Sequence, residues 1–188
     1  MFPMHPELPL HLVLIGILAA CCVTDLRNQR IPNIITAPTM IVGLAYHGMT
    51  YGLDGLAFAG LGLVLGLAVM LVPFLIGLMG AGDVKLMAAA GAILGPNAIL
   101  DAFLITSLYG GIYALIVLAM NRGYLKRVFL ALRDSLFFFM SFRKFSYVQQ
   151  DTQSALPRLC YGVAIAAGTM TTMALSLYDR GIFSGVMG

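Results

Sequence analysis

Apolar residues run through this chain in long unbroken stretches, not at every second position and not on one face of a helix. Six stretches carry no Asp, Glu, Lys or Arg: 8–24, 31–53, 55–82, 86–100, 102–121 and 159–178. A helix needs about 20 apolar residues to cross a bilayer, within a range of about 17–25. Five of the six stretches meet that length unaided. The fourth, 86–100, is short and ends near Pro96; it crosses if it tilts or if neighbouring helices shield its ends. Backbone in lipid must satisfy its own hydrogen bonds, and no stretch shows the alternation of a barrel strand, so the pattern predicts helices. The expected fold is an all-α integral membrane protein, a bundle of about six transmembrane helices, with residues 1–188 forming one domain.

Basic residues give the bundle a direction. None precedes the first stretch, so 8–24 reads as a permanent helix and not as a signal peptide, which needs a basic start. Arg27 and Arg30 follow that helix, and the loop over 47–54 has no basic residue. Lys85 stands at the join of the third and fourth helices, and the turn near Pro96 and Asn97 again has none. Arg122, Lys126, Arg127, Arg133, Arg143, Lys144 and Arg158 fall between the fifth and sixth helices, and Arg180 follows the last. Ten of the eleven positive charges thus lie on one side. That side is expected to be the cytoplasm, with both termini outside.

Residues 121–157 break the apolar pattern. Bases alternate there with apolar clusters such as Leu136, Phe137, Phe138, Phe139 and Met140. The mixture predicts a helix lying in the cytoplasmic interface, its bases toward anionic headgroups. The competing reading is a loop partly packed on the bundle, and 149–154 reads as loop.

Composition narrows the function. The 188 residues are 60% hydrophobic and 10% charged, with a mean hydropathy of +0.93. A soluble domain carries roughly 25% charged residues, so a soluble globule, a disordered tail and a nucleic-acid-binding module are all excluded. Cys21, Cys22 and Cys160 form no CxxC pair, and His5, His11 and His47 form no HExxH. Neither metal nor cofactor is expected. Gly62 with Gly66, and Gly91 with Gly95, make two GxxxG motifs that favour close helix packing.

Eight carboxylates remain, seven Asp and Glu7. Asp54, Asp101, Asp134, Asp151 and Asp179 read as boundary or solvated charges. Asp25 closes the first helix and is followed by Arg27, Arg30 and the block Ile31-Pro32-Asn33. Asp83 opens the fourth helix in Gly80-Ala81-Gly82-Asp83-Val84-Lys85. Either aspartate alone would be read as a helix cap or a solvated boundary residue. The charge pattern puts both at the cytoplasmic edge of the membrane, where an ionisable group marks a functional site. Two carboxyls about 3 Å apart cannot both ionise, and one keeps its proton. The ionised partner deprotonates water for attack on a peptide carbonyl, while the protonated one hydrogen-bonds that carbonyl and then helps protonate the leaving amine. Gly80 and Gly82 would let the backbone turn and let an extended substrate approach it.

These residues together resemble the type IV prepilin peptidases, aspartic proteases of the GxGD class in the bacterial inner membrane. The resemblance rests on Asp25-Leu26-Arg27, Ile31-Pro32-Asn33 and the GxGD block, with Asp83 standing 58 residues after Asp25. It is close over 8–94 and holds in layout beyond. It implies that Asp25 and Asp83 are catalytic and that Gly80 and Gly82 are the motif glycines; Lys85 follows the motif and is a candidate for the substrate approach. The longer members carry paired CxxC motifs in an additional N-terminal part and methylate the new N-terminus. This chain has no CxxC and begins about two dozen residues before Asp25, so methylation is not expected. The short form looks like the peptidase of tight-adherence (Flp) pilus systems. Its expected substrates are Flp-type prepilins and pseudopilins with a short basic leader, cut at the cytoplasmic face; lipid and the pilus assembly machinery are the other expected partners. The main rival is a small transporter or channel using the same two aspartates for protons or ions. It calls for deep carboxylates and repeated halves, and the sequence has neither. An inactive scaffold would tolerate Asn at both positions. The signal-peptide-peptidase and presenilin type shares GxGD but pairs it with Tyr-Asp, whereas Thr24 precedes Asp25 here.

Overall fold

The computed structural model describes residues 8–28, 30–75, 79–120 and 161–179. The expected interfacial segment over 121–157 lies outside them, as do Asp134 and Asp151. The described elements are helical: α1 over Leu8–Asn28, α2 over Asn33–Leu75, α3 over Ala81–Met120 and α4 over Tyr161–Asp179. Two compact units divide the chain, one comprising Met1–Gly110 with Cys160–Gly188 and the other Gly111–Leu159. The described part of the second unit is the end of α3.

Helices α1, α2 and α3 are long and apolar enough to cross a membrane. A straight helix of the 43 residues of α2 would be about 65 Å long, twice the roughly 30 Å hydrocarbon core. It does not run straight. Gly52 has φ 65° and ψ −141°, values that end one helical arm and start another. His47 and Phe58 would stand about 16 Å apart on one straight helix. Their ring centroids are 5.2 Å apart, so the chain folds back on itself at Gly52. The same happens in α3, where Gly95 has φ 80° and ψ 179° and is followed by Pro96. Both glycines sit at positive φ, which a side chain disfavours. The breaks fall within the loop expected over 47–54 and beside the turn expected near Pro96 and Asn97, and Asp54 and Asp101, the charges that bound the apolar stretches, lie just beyond them. Both aspartates lie, exposed, inside the helical arms that follow the breaks.

The first arm of α3 is the centre of its unit. Leu86, Met87, Ala88, Ala89, Ala90 and Ala92 are all fully buried. Small residues let the surrounding backbones close on this arm. A Cβ on Gly43 would lie 2.8 Å from the Ala92 carbonyl oxygen, and one on Gly66 would lie 2.6 Å from that of Met87. A Cβ on Gly62 would collide with the Gly91 carbonyl and lie 2.8 Å from the Gly95 Cα. The two GxxxG motifs therefore face each other, the packing such motifs permit. Shielding of this kind lets a short apolar stretch sit at membrane depth.

His47 completes the break at Gly95. The last carbonyls of a helix have no partner within it, and Ile93 lies just before the break. The buried His47 donates from Nε2 to the Ile93 carbonyl oxygen at 3.0 Å. Helix α4 packs against α1, and α1 also packs against α2. On α3, Tyr109 and Thr171 of α4 share a hydroxyl hydrogen bond of 3.2 Å. Much of the outer surface is apolar, with Met49, Leu53 and Ile34 each more than 80% exposed. An apolar exterior of this extent calls for lipid as its solvent.

Candidate active site

Both singled-out aspartates are buried, Asp25 at 6% exposure and Asp83 at 8%. That separates them from Asp54 and Asp101, which are exposed. A buried carboxylate needs hydrogen-bond donors, and each of the two takes one from a backbone N–H at a helix start.

Asp83 lies in the first turn of α3. Its Oδ2 accepts from the Gly80 N–H at 3.0 Å, while its own N–H donates to the Gly80 carbonyl at 3.1 Å. The first bond is one half of a capping box, with Asp in the place usually taken by Glu, and the second is a backbone turn, since glycine has no side chain to complete the box. The carboxylate also stands at the positive end of the helix dipole. Asp25 lies in the last turn of α1, where the dipole disfavours an anion. Its Oδ2 instead accepts from the Gly162 N–H at 3.0 Å, in the first turn of α4. The first N–H groups of a helix lack intrahelical partners, so the bond serves both groups. The two carboxylates share one neighbourhood, since Ile31, six residues after Asp25, packs against Gly82, next to Asp83.

The block after Asp25 is docked on the block around Asp83. Ile31 is buried, and a Cβ on Gly82 would lie 2.9 Å from its Cβ. Lys85 donates from Nζ to Asn33 Oδ1 at 2.9 Å. Pro32 accepts from the Ile35 N–H at 3.1 Å, opening α2. The spacing of 50-odd residues between the motif blocks is thus the length of α2 and its ends, which bring the chain back to where it started.

The two motif glycines are not equivalent. Gly82 is required by contact with Ile31, whereas Gly80 is exposed and a Cβ there meets nothing nearer than 3.5 Å. Neither has a positive φ. Sequence reasoning missed Gly162 altogether. A glycine opening an apolar stretch carries no local signal of its contact with Asp25.

No group of three or more His, Cys, Asp or Glu able to hold a metal occurs among the described residues. What the arrangement offers chemically is two buried carboxyl groups on motif blocks that pack together, each with one oxygen fixed by a backbone donor.

Residues 12–115 match the model of the type IV leader peptidase family. The match runs past residue 94, into the second arm of α3. A prepilin leader peptidase/N-methyltransferase of Escherichia coli (strain K12) is 38% identical over 108 residues. That alignment covers 53% of this chain and 47% of the relative, so the chain spans about half the length of the curated relative it matches. No solved structure matches.

Proposed function

Because the chain belongs to the type IV leader peptidase family, we propose that it is an aspartic endopeptidase that removes the leader of prepilins, with Asp25 and Asp83 as its water-activating dyad. The observation that carries this reading is that two buried aspartates, distant in sequence, lie on motif blocks that pack against each other through Ile31 and Gly82. The dyad holds one proton between its two carboxyls. The ionised carboxylate takes a proton from water as the water oxygen bonds to the scissile carbonyl carbon. The protonated partner donates a hydrogen bond to the carbonyl oxygen. The tetrahedral intermediate then collapses, the C–N bond breaks, and the amine leaves with a proton from the dyad.

The protein acts as a multi-pass protein of the bacterial inner membrane with about six crossings. The dyad lies at the cytoplasmic face and both termini lie outside. Family membership and the three membrane-length apolar helices support that setting, and the basic loops support the orientation. The substrates are Flp-type prepilins and pseudopilins, whose basic leader is presented at that face. Gly80 and Lys85 line the approach: Gly80 is exposed beside Asp83, and Lys85 bonded to Asn33 keeps further N–H donors. The activity is cleavage without methylation, since the chain has no CxxC pair. A transporter using the same aspartates has no support from the family match.

The test is a cleavage assay in membranes with a Flp-type prepilin, followed by mobility shift and product mass. Asp25→Asn and Asp83→Asn should each lower the rate by about a thousandfold or more, with expression and folding retained. The wild-type product should carry an unmethylated N-terminus. Cleavage that survives either substitution would sink the dyad.

A further inference from the structure

Asp25 belongs to α1, but the group that fixes its carboxylate comes from α4, outside the residues 12–115 that match the family model. We propose that Gly162 is a positioning residue for Asp25, holding the carboxylate by its N–H and admitting it by its lack of a side chain. The inference rests on the reading of Asp25 as half of the dyad, and it adds α4 to the machinery.

Three contacts carry it. The Gly162 N–H reaches Asp25 Oδ2 at 3.0 Å in a buried setting. The donor is one of the unpartnered N–H groups opening a 19-residue helix, so the carboxylate meets the positive end of the α4 dipole as well as a hydrogen bond. The fit leaves no room: a Cβ on Gly162 would lie 2.8 Å from Asp25 Oδ2, 3.2 Å from Cγ and 3.3 Å from Cβ. Glycine is needed here for proximity. The Gly162 carbonyl in turn receives the Cys22 thiol at 3.8 Å. Cys22 lies one turn before Asp25 on α1, so both polar groups of Gly162 face the same helix.

The consequence is directional. A carboxylate rotates about its Cβ–Cγ bond with little resistance. A fixed donor at one oxygen sets that rotation and the line along which both oxygens point. Dyad chemistry depends on that line, because proton transfer needs hydrogen-bond reach and alignment. An added methyl group at 162 would push the carboxylate aside while leaving substrate contacts elsewhere intact.

The experiment compares Gly162→Ala with Gly168→Ala in the full chain, using the membrane cleavage assay and normalising to folded protein. A Cβ on Gly168 would lie 2.7 Å from the Thr106 backbone nitrogen. It therefore crowds α4 against α3 without touching Asp25. Both variants should lose thermal stability. Gly162→Ala alone should lower kcat by about tenfold or more while KM stays within about twofold. A kcat near wild type in Gly162→Ala, or equal kcat losses in the two variants, would overturn the proposal. Asp25→Asn is run beside them. Cleavage surviving in Asp25→Asn removes the dyad reading and this inference together; loss there with full kcat in Gly162→Ala removes this inference alone.

Should Gly162→Ala not fold, the bond can be read in the unaltered backbone. Tyrosine labelled at the carbonyl carbon with nitrogen-labelled glycine selects three pairs, Tyr51-Gly52, Tyr109-Gly110 and Tyr161-Gly162. Asp25→Ala should move the Gly162 amide proton upfield and leave that of Gly52 in place. An unmoved Gly162 signal would overturn the proposal.

Discussion

Asp83 takes its hydrogen bond from Gly80, three residues back in the same turn, whereas Asp25 takes its bond from Gly162, 137 residues on and in another helix. The first arrangement is a local cap that forms whenever α3 starts. The second exists only after α1 and α4 have packed together. One carboxylate is thus placed by the turn it belongs to, and the other by tertiary structure. A site built this way is complete only when the last helix has docked, although the motif residues themselves all lie in the first half of the chain.

The largest expected effect separates the two motif glycines. Gly82→Val would drive a branched side chain into Ile31, whose Cβ already lies 2.9 Å from a Cβ at that position. Overpacking of this kind costs about 3 kcal/mol. Gly80→Ala should cost under about 1 kcal/mol, because the site is open and the change is that of an N-cap glycine to alanine. Equilibrium unfolding in mild detergent measures both. Equal losses would mean that Gly82 is held by the turn, as Gly80 is, and not by the Ile31 contact.

That pair marks how far the sequence could be read. The apolar stretches and the helix start at the GxGD block were legible, because each is a local pattern of residue type; Asp25 and Asp83 could be singled out as acids at the ends of apolar helices, but their burial was not legible. The reversals were legible too, as a loop over 47–54 and a turn near Pro96 and Asn97. The residues that carry them, Gly52 and Gly95 at positive φ, were not singled out for that role. The GxxxG motifs announced close packing but not their partner, which turned out to be each other. His47 read as a scattered histidine and is a cap on a broken helix. Gly162 was illegible for the deepest reason, since its partner is 137 residues away and nothing around it in the chain refers to Asp25.

An intermediate effect should follow when each carboxylate is removed outright. Asp25→Ala leaves the buried Gly162 N–H without this acceptor, a loss of about 2 kcal/mol. Asp83→Ala removes a cap whose donor, on the exposed Gly80, can turn to water, a loss of about 1 kcal/mol. The spatial signatures should differ more sharply than the energies. Hydrogen exchange should rise through the first turn of α4 in Asp25→Ala, far from the substituted residue in sequence. In Asp83→Ala it should rise only around 80–84. Exchange that rises locally in both would break the contrast between a local and a remote hold.

The smallest effect concerns the contact that ties the two motif blocks together. Lys85 reaches Asn33 at 2.9 Å on an exposed surface, so water competes for both groups. A double-mutant cycle of Lys85→Ala and Asn33→Ala should show a coupling of about 0.5–1 kcal/mol in stability. The same variants divide the two roles open to the lysine. If Lys85 also pairs with an acidic residue of the prepilin near the cut, Lys85→Ala should lower kcat/KM more for a prepilin that carries one there than for one neutralised at that position. Asn33→Ala should lower both alike, because it loosens the lysine without removing its charge. Equal losses for Lys85→Ala with the two substrates would confine the lysine to the Asn33 contact. Its part in the site would then be to hold the Ile-Pro-Asn block against the start of α3, a tertiary hold on the end of the site whose cap is local.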